Sequence, residues 1–272
     1  MLKSYTVEKD YQNSRFDRWF KAKIIDLPQS LIEKIIRLNK VKINKKRAKS
    51  SYRVQSGDIV DVYDISKFKT NNRIKILKYK PSGKEINVYD NYVIENNENF
   101  VVINKPAGIA VQSGTKSFKN IIDILKNTKY FENHNPYIVH RLDKETSGVL
   151  IIAKTREYAQ LFTSLFRIRK IHKTYIAVSY GKISKSKVTL KDDLVSYDNN
   201  KKVIQKAISH LKVLKSSDDY SYLELNPITG RKHQLRKQLY NIGNPIVGDD
   251  KYFINRKVSK KKVKNKILML HA

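Results

Sequence analysis

His140-Arg141-Leu142-Asp143-Lys144-Glu145-Thr146-Ser147-Gly148 interrupts two apolar runs, Ile138-Val139 before it and Val149-Leu150-Ile151-Ile152 after it. Short apolar runs rich in β-branched residues read as buried strands, so the polar stretch between them is a loop at a sheet edge. A carboxylate and a guanidinium on a connection held at both ends by rigid elements occupy a usual location for functional groups. Read from the residues alone, a surface turn carrying an Arg–Asp pair stays open as the other interpretation.

Working outward, strand-like runs recur at Phe100 to Ile103, Val149 to Ala153, Tyr175 to Val178, Val203 to Val213 and Tyr220 to Leu225, with helical patterns near 117–126, 155–168 and 232–241. Strands and helices do not alternate regularly, which predicts an α+β domain built on a mixed, mainly antiparallel sheet. No internal repeat is visible. Upstream, residues 64–88 are polar and basic, with Asn71-Asn72 and Pro81-Ser82-Gly83 as breakers, and read as a linker before a domain spanning 89–272. Residues 14–63 read as a small α/β unit. Phe16, Trp19 and Phe20 share a helical face, and Pro28 breaks the chain. Ser30 and Glu33 have capping-box spacing at the head of a second helix marked by Leu31, Ile35 and Leu38. Val41, Ile43, Val54, a Ser56-Gly57-Asp58 turn, Ile59, Val60 and Val62 then suggest a small curled sheet.

Forty per cent apolar composition over 272 residues is sufficient for a genuine core. Lys and Arg number 56 against 25 Asp and Glu, a formal charge of +31 spread along the whole chain, which points to a polyanionic partner and above all to nucleic acid. The absence of cysteine removes disulfides, zinc fingers and thiol nucleophiles. The six histidines (134, 140, 172, 210, 233, 271) form no His-x-x-x-His pair or tight cluster, so no metal site is expected. The N-terminal Met1-Leu2-Lys3-Ser4-Tyr5 runs straight into charged sequence and no apolar run approaches a membrane span, so the expectation is a soluble cytoplasmic protein that needs no membrane. The run Arg256 to Lys266, with Lys260-Lys261-Lys262, reads as a solvated charged loop with an RNA backbone contact left open.

The 140–148 loop resembles the signature His-Arg-Leu-Asp-x-x-Thr-Ser-Gly of the ribosomal large-subunit pseudouridine synthase family, and every named position matches. Asn104-Lys105-Pro106-Ala107-Gly108 resembles the family's Asn-Lys-Pro-x-Gly turn, and Lys173-Thr174-Tyr175 its Lys-x-Tyr element. Thr229-Gly230-Arg231-Lys232-His233-Gln234-Leu235-Arg236 and Gly243-Asn244-Pro245-Ile246-Val247-Gly248-Asp249 match two further segments. The 14–63 unit is similar to S4-type RNA-binding domains through Arg15-Phe16-Asp17, Val41-Lys42-Ile43-Asn44 and Gly57-Asp58-Ile59-Val60, with Phe16 where leucine is usual and Lys40 where glycine is usual.

The resemblance implies a cofactor-free isomerase acting on structured RNA, with 23S ribosomal RNA as the expected partner. It implies Asp143, Tyr175 and Arg236 as the catalytic set: the carboxylate as nucleophile or base, the tyrosine against the target base, the arginine as the carboxylate's partner. It assigns Arg141, Arg231, His233, Arg15 and Lys42 to RNA contact, with Arg141 entering the stack that an extruded uridine vacates; His140 and His233 are expected to brace loops, and Lys105 and Pro106 to shape the pocket wall. Gln238 and Asn244 depart from the pattern, each standing where histidine is frequent. A tRNA-directed isomerase and an RNA-binding relative without catalysis remain alternatives. Ile267 to Ala272 looks like the family's apolar Leu-His-Ala strand, and the expectation is a sheet short of its following segment, with a monomer as the default state.

Overall fold

The computed structural model describes residues 2–68, 79–113, 118–198, 201–253 and 267–272. The chain forms two compact units, Met1–Leu77 and Lys78–Ala272.

In the first unit β1 (Lys3–Thr6), the helices α1 (Phe16–Lys23) and α2 (Gln29–Arg37), and the strands β2 (Val41–Ile43), β3 (Lys46–Arg47) and β4 (Ile59–Val62) follow in order. The sheet order is β1-β4-β2-β3, antiparallel throughout. Phe16, Trp19 and Phe20 recur at helical spacing and are all buried, packing with Ile32, Ile35, Val41 and Val60. The unit begins earlier than residue 14: β1 pairs with β4, and Val7 and Tyr11 belong to the same core. Nor does Ser30 cap α2. The chain enters that helix at Gln29 with Pro28 at the N-cap and no side-chain cap, because proline's fixed φ starts the first turn early and leaves Ser30 inside it. Gln29 instead ties α2 to α1 through Asp17 (2.9 Å).

The capping box belongs to α3 (Gly83–Asp90), where Glu85 N–H donates to the Ser82 hydroxyl and Ser82 N–H to the Glu85 carboxylate. This helix lies inside the segment expected to be a linker, and its Tyr89 packs into the second unit's core, so only residues 69–78 of that segment fall outside the described residues. The run 256–266 also falls outside them. The second unit continues with β5 (Val93–Asn96), β6 (Phe100–Lys105), α4 (Ile121–Leu125), β7 (Tyr137–Ile138), β8 (Gly148–Ala153), α5 (Arg156–Arg167), β9 (Tyr175–Tyr180), β10 (Lys187–Asp198), β11 (Lys201–Ser216), β12 (Tyr220–Pro227), α6 (Gln234–Asn241) and β13 (Leu270–His271). Its strands form two sheets, β5-β6-β8-β7 and β10-β11-β12-β9-β13, with antiparallel pairing at every step. An α+β architecture follows, as expected.

Residues 270–272 join the two sheets. β13 pairs with β9, while Ser147 N–H donates to Leu270 O (3.2 Å) and Ala272 N–H to Ser147 O (2.9 Å). This approach explains Gly148: its φ of 119° suits glycine, and a Cβ there would overlap the Ala272 backbone. Each sheet covers its own core, one around Ile103, Ile121, Leu125, Leu150 and Ile152, the other around Leu211, Leu223, Leu225, Leu239 and Ile246.

Candidate active site

The loop between β7 and β8, the start of β9 and the start of α6 converge on a cleft of about 890 Å³, within the usual range for ligand sites. Asp143, Arg141, Tyr175, Arg231, His233 and Arg236 all line it. Arg15 and Lys42 belong to the first unit: Arg15 is held bidentately by Asp17 (3.1 and 2.6 Å), and the Lys42 ammonium lies 5.5 Å from the Tyr63 ring centre.

Three elements fix the Asp143 loop. At its start the half-buried His140 ring accepts the Ile151 N–H through Nε2 (2.9 Å) and packs on Phe166 (4.6 Å between ring centres). Burial, reinforced by the charge of Lys173, brings this imidazole down to about 4, so it is neutral and able to accept. In its middle the Lys144 carbonyl accepts from Gly108 N–H (2.9 Å) and from the Lys105 ammonium (3.2 Å). Lys105 is fully buried and also donates to the Pro106 and Ile109 carbonyls (2.8 and 3.0 Å), and burial lowers it to about 8 against the opposing pull of Glu145 and Asp143. The Asn-Lys-Pro turn thus braces the Asp143 loop, and neither Lys105 nor Pro106 is among the residues that line the cleft. At its end, residues 270–272 hold Ser147.

Among the described residues neither Asp143 carboxylate oxygen accepts a hydrogen bond, and the side chain keeps 31% of its surface exposed to the cleft. Among the described residues the nearest basic group is His233, with Nε2 3.9 Å from Asp143 Oδ1. His233 stands before α6 in a left-handed conformation (φ 55°), which is why the helix begins at Gln234, and its Nδ1 lies 2.9 Å from the Tyr252 hydroxyl. Burial lowers its pKa although Asp143 pulls the other way.

Arg236 is not the hydrogen-bonded partner of Asp143. Its Nε and one terminal nitrogen donate to Asp249 (2.7 and 2.6 Å), with a longer bond to Asp250 (3.4 Å) and the Tyr252 ring 5.3 Å away. Burial pushes the Asp249 carboxyl up, but the Arg236 bonds and the N–H groups of Tyr252 and Lys251 outweigh it and leave it below the usual range. Burial disfavours the Arg236 cation too, and Asp249 first and Asp143 at longer range more than compensate. Geometry selects Asp249 because both sit in the dry interior, where a planar guanidinium needs a bidentate acceptor. Asp249 is visible in sequence only as the end of its glycine-proline block, and Tyr252, which joins His233 to Arg236, has no sequence signal among 17 tyrosines.

Tyr175 opens β9 and contacts both cores of the unit. Burial, with Asp143 adding to it, pushes its phenol up to about 12, so it is a neutral donor and not a base. Arg141 is exposed in the cleft, and Arg231 donates through Nε to Lys206 O (3.1 Å). The two departures from the family pattern have structural uses. Fully buried Gln238 accepts from Ser209 (2.6 Å) and donates to Asp192 (3.0 Å), pinning α6 to the β10-β11 hairpin, and Asn244 donates to Tyr180 O (2.9 Å).

The sequence model of the family described as RNA pseudouridylate synthase matches residues 99–241, and that of the S4 domain residues 25–60. The ribosomal large subunit pseudouridine synthase C of Rickettsia felis is 37% identical over 88% of this chain and 82% of its own length; that of Buchnera aphidicola subsp. Baizongia pistaciae is 32% identical over 98% and 86%. Among solved structures, human RNA pseudouridylate synthase domain containing 4 aligns over 70% of this chain and 85% of its own with a TM-score of 0.57 and 28% identity.

Proposed function

The chain belongs to the RNA pseudouridylate synthase family, and from that membership we propose that it isomerises uridines of large-subunit ribosomal RNA with Asp143 as the catalytic carboxylate. As an RNA isomerase it must break the bond from the ribose to N1 of uracil, turn the base, join the ribose to C5, release the C5 proton and place a proton on N1. Atoms balance without an oxidant, a reductant or a second substrate. The observation that carries the reading is Asp143 itself. Its oxygens, free of hydrogen bonds among the described residues, face a cleft large enough for a nucleotide. A nucleophile or base needs lone pairs not already committed to the protein.

The neighbours support distinct roles. Tyr175 offers a ring for the base to stack on and a protonated hydroxyl beside the carboxylate. Arg236, locked by Asp249, supplies a fixed positive charge near Asp143. His233 is a neutral hydrogen-bonding wall. A paired uridine must leave its stack to reach the carboxylate, at roughly a few kcal/mol, and exposed Arg141 on the same loop is placed to fill the gap. The S4 unit and the relatives' ribosomal names favour large-subunit RNA over other RNAs.

The test is tritium release from a large-subunit rRNA transcript labelled at C5 of uridine. Wild type should release tritium, and Asp143→Asn should lose about a thousandfold or more while binding the transcript as before. Turnover near wild type in the variant would overturn the assignment. Pseudouridine maps of rRNA and tRNA from cells with and without the protein identify the substrate.

A further inference from the structure

One wall of the cleft, where α5 ends and the chain turns into β9, carries charges that isomerisation does not use. Arg169 follows α5 with φ 60°. Its N–H donates to Phe166 O (3.2 Å) and that of Lys170 to Leu165 O (2.9 Å), the paired bonds of a Schellman cap. Glycine is favoured there, because in the left-handed conformation a Cβ crowds the following carbonyl. An exposed arginine occupies the position, and among the described residues its guanidinium has no ion-pair or hydrogen-bond partner.

Lys173, four residues on, lines the same cleft. Its ammonium rests against Gly230, where an added Cβ would stand 3.6 Å from Nζ. Among the described residues no carboxylate or carbonyl receives it. Burial first, and the charge of Arg169 second, push its pKa down. The same ammonium acts on His140. Two like charges therefore face one cavity, one on a backbone that disfavours its side chain and the other half-buried without a counterion among the described residues. Both arrangements work against folding, and local costs with no return inside the molecule are features of sites shaped for a ligand.

We propose that Arg169 and Lys173 bind a phosphodiester of the RNA strand that carries the target uridine. The inference rests on the cleft being where that uridine enters. An extruded nucleotide stays joined to the phosphates on either side, so cations on the wall hold the backbone while the base reaches Asp143. A guanidinium fork beside an ammonium suits a phosphodiester, which offers two charged oxygens.

The experiment compares wild type with Arg169→Gly, Lys173→Met and Lys173→Arg. It reads melting temperature, binding of the large-subunit rRNA transcript across salt concentrations, and the kinetics of tritium release. Arg169→Gly and Lys173→Met should melt at or above the wild-type temperature, because each removes a local cost. Each should weaken binding about tenfold at moderate salt and lower the slope of log Kd against log salt by about 0.7 to 0.9, as expected for one lost phosphate contact. KM should rise more than kcat falls, and Lys173→Arg should restore most of the affinity. Lower melting temperatures with unchanged Kd and salt slope would make both residues structural and overturn the proposal. Absence of tritium release by wild type would instead sink the rRNA reading, and the binding ratios and slopes on the same transcript would still decide the phosphate site.

Discussion

Arg236 and Asp249 keep only 4% and 1% of their side-chain surface, so each charge depends on the other for the solvation that water no longer gives. Asp249→Ala leaves a buried guanidinium without its acceptor, and Arg236→Met leaves a buried carboxylate; each should cost about 3 to 5 kcal/mol in urea unfolding. The double variant Arg236→Met with Asp249→Leu should cost much less than the two losses added, because apolar groups of similar size need no counterion. It should nevertheless isomerise poorly, having lost the fixed charge near Asp143. A double variant as unstable as the sum would mean that the pair contributes packing and not mutual neutralisation. Tyr175 sets a second expectation. With its phenol at about 12, the hydroxyl is protonated throughout the working range, so Tyr175→Phe should lower the rate at every pH without moving either limb of the pH–rate profile. A limb that disappeared in the variant would show that Tyr175 titrates during turnover.

The Asp143 loop is an element without regular structure, and His140 shows how it is held. Its acceptor bond to Ile151 N–H exists only while the ring is neutral. The folded pKa, about 4, lies below the unfolded value near 6.5, so the contribution is fully present above about pH 6.5 and is lost as pH falls toward 4. Going from pH 7 to pH 5 should remove about 2 kcal/mol through this group. His140→Gln keeps an acceptor that does not titrate, and its unfolding free energy should fall less over the same interval; equal losses in both proteins would refute the assignment. Elements also mark the limits of sequence reading. β10 is hard to see because Lys191-Asp192-Asp193 interrupts its apolar alternation, yet Asp192 is what Gln238 and Asn241 of α6 bind. Capping-box spacing occurs at both Ser30 and Ser82, and only the second is used, since Pro28 sets where α2 begins.

Across the whole molecule, the α+β class and the convergence of Asp143, Tyr175 and Arg236 were legible because short motifs carry them. The Arg236–Asp249 pairing and the His233–Tyr252 link were not, since partners 13 and 19 residues apart meet only through the turn after α6. The limits of the two units likewise depend on contacts far apart in sequence, such as β1 with β4. Those limits make a prediction that the composition allows to be read cleanly. The chain has one tryptophan, Trp19, fully buried in the core of the first unit, stacked on Phe16 at 6.0 Å and donating to Glu8 (3.2 Å). Intrinsic tryptophan fluorescence therefore reports the unfolding of Met1–Leu77 alone, whereas far-UV circular dichroism is weighted toward Lys78–Ala272, which among the described residues holds nine of the thirteen strands. A unit of 77 residues buries a smaller share of its surface than a larger one and has less hydrophobic free energy to set against chain entropy. In urea the fluorescence transition should come first and with the shallower slope, because the slope scales with the surface exposed. The dichroism change should continue after fluorescence has reached its unfolded baseline. Coincident midpoints and slopes would instead mean that one cooperative transition spans both units, and that the division at residues 77 and 78 does not mark independent folding.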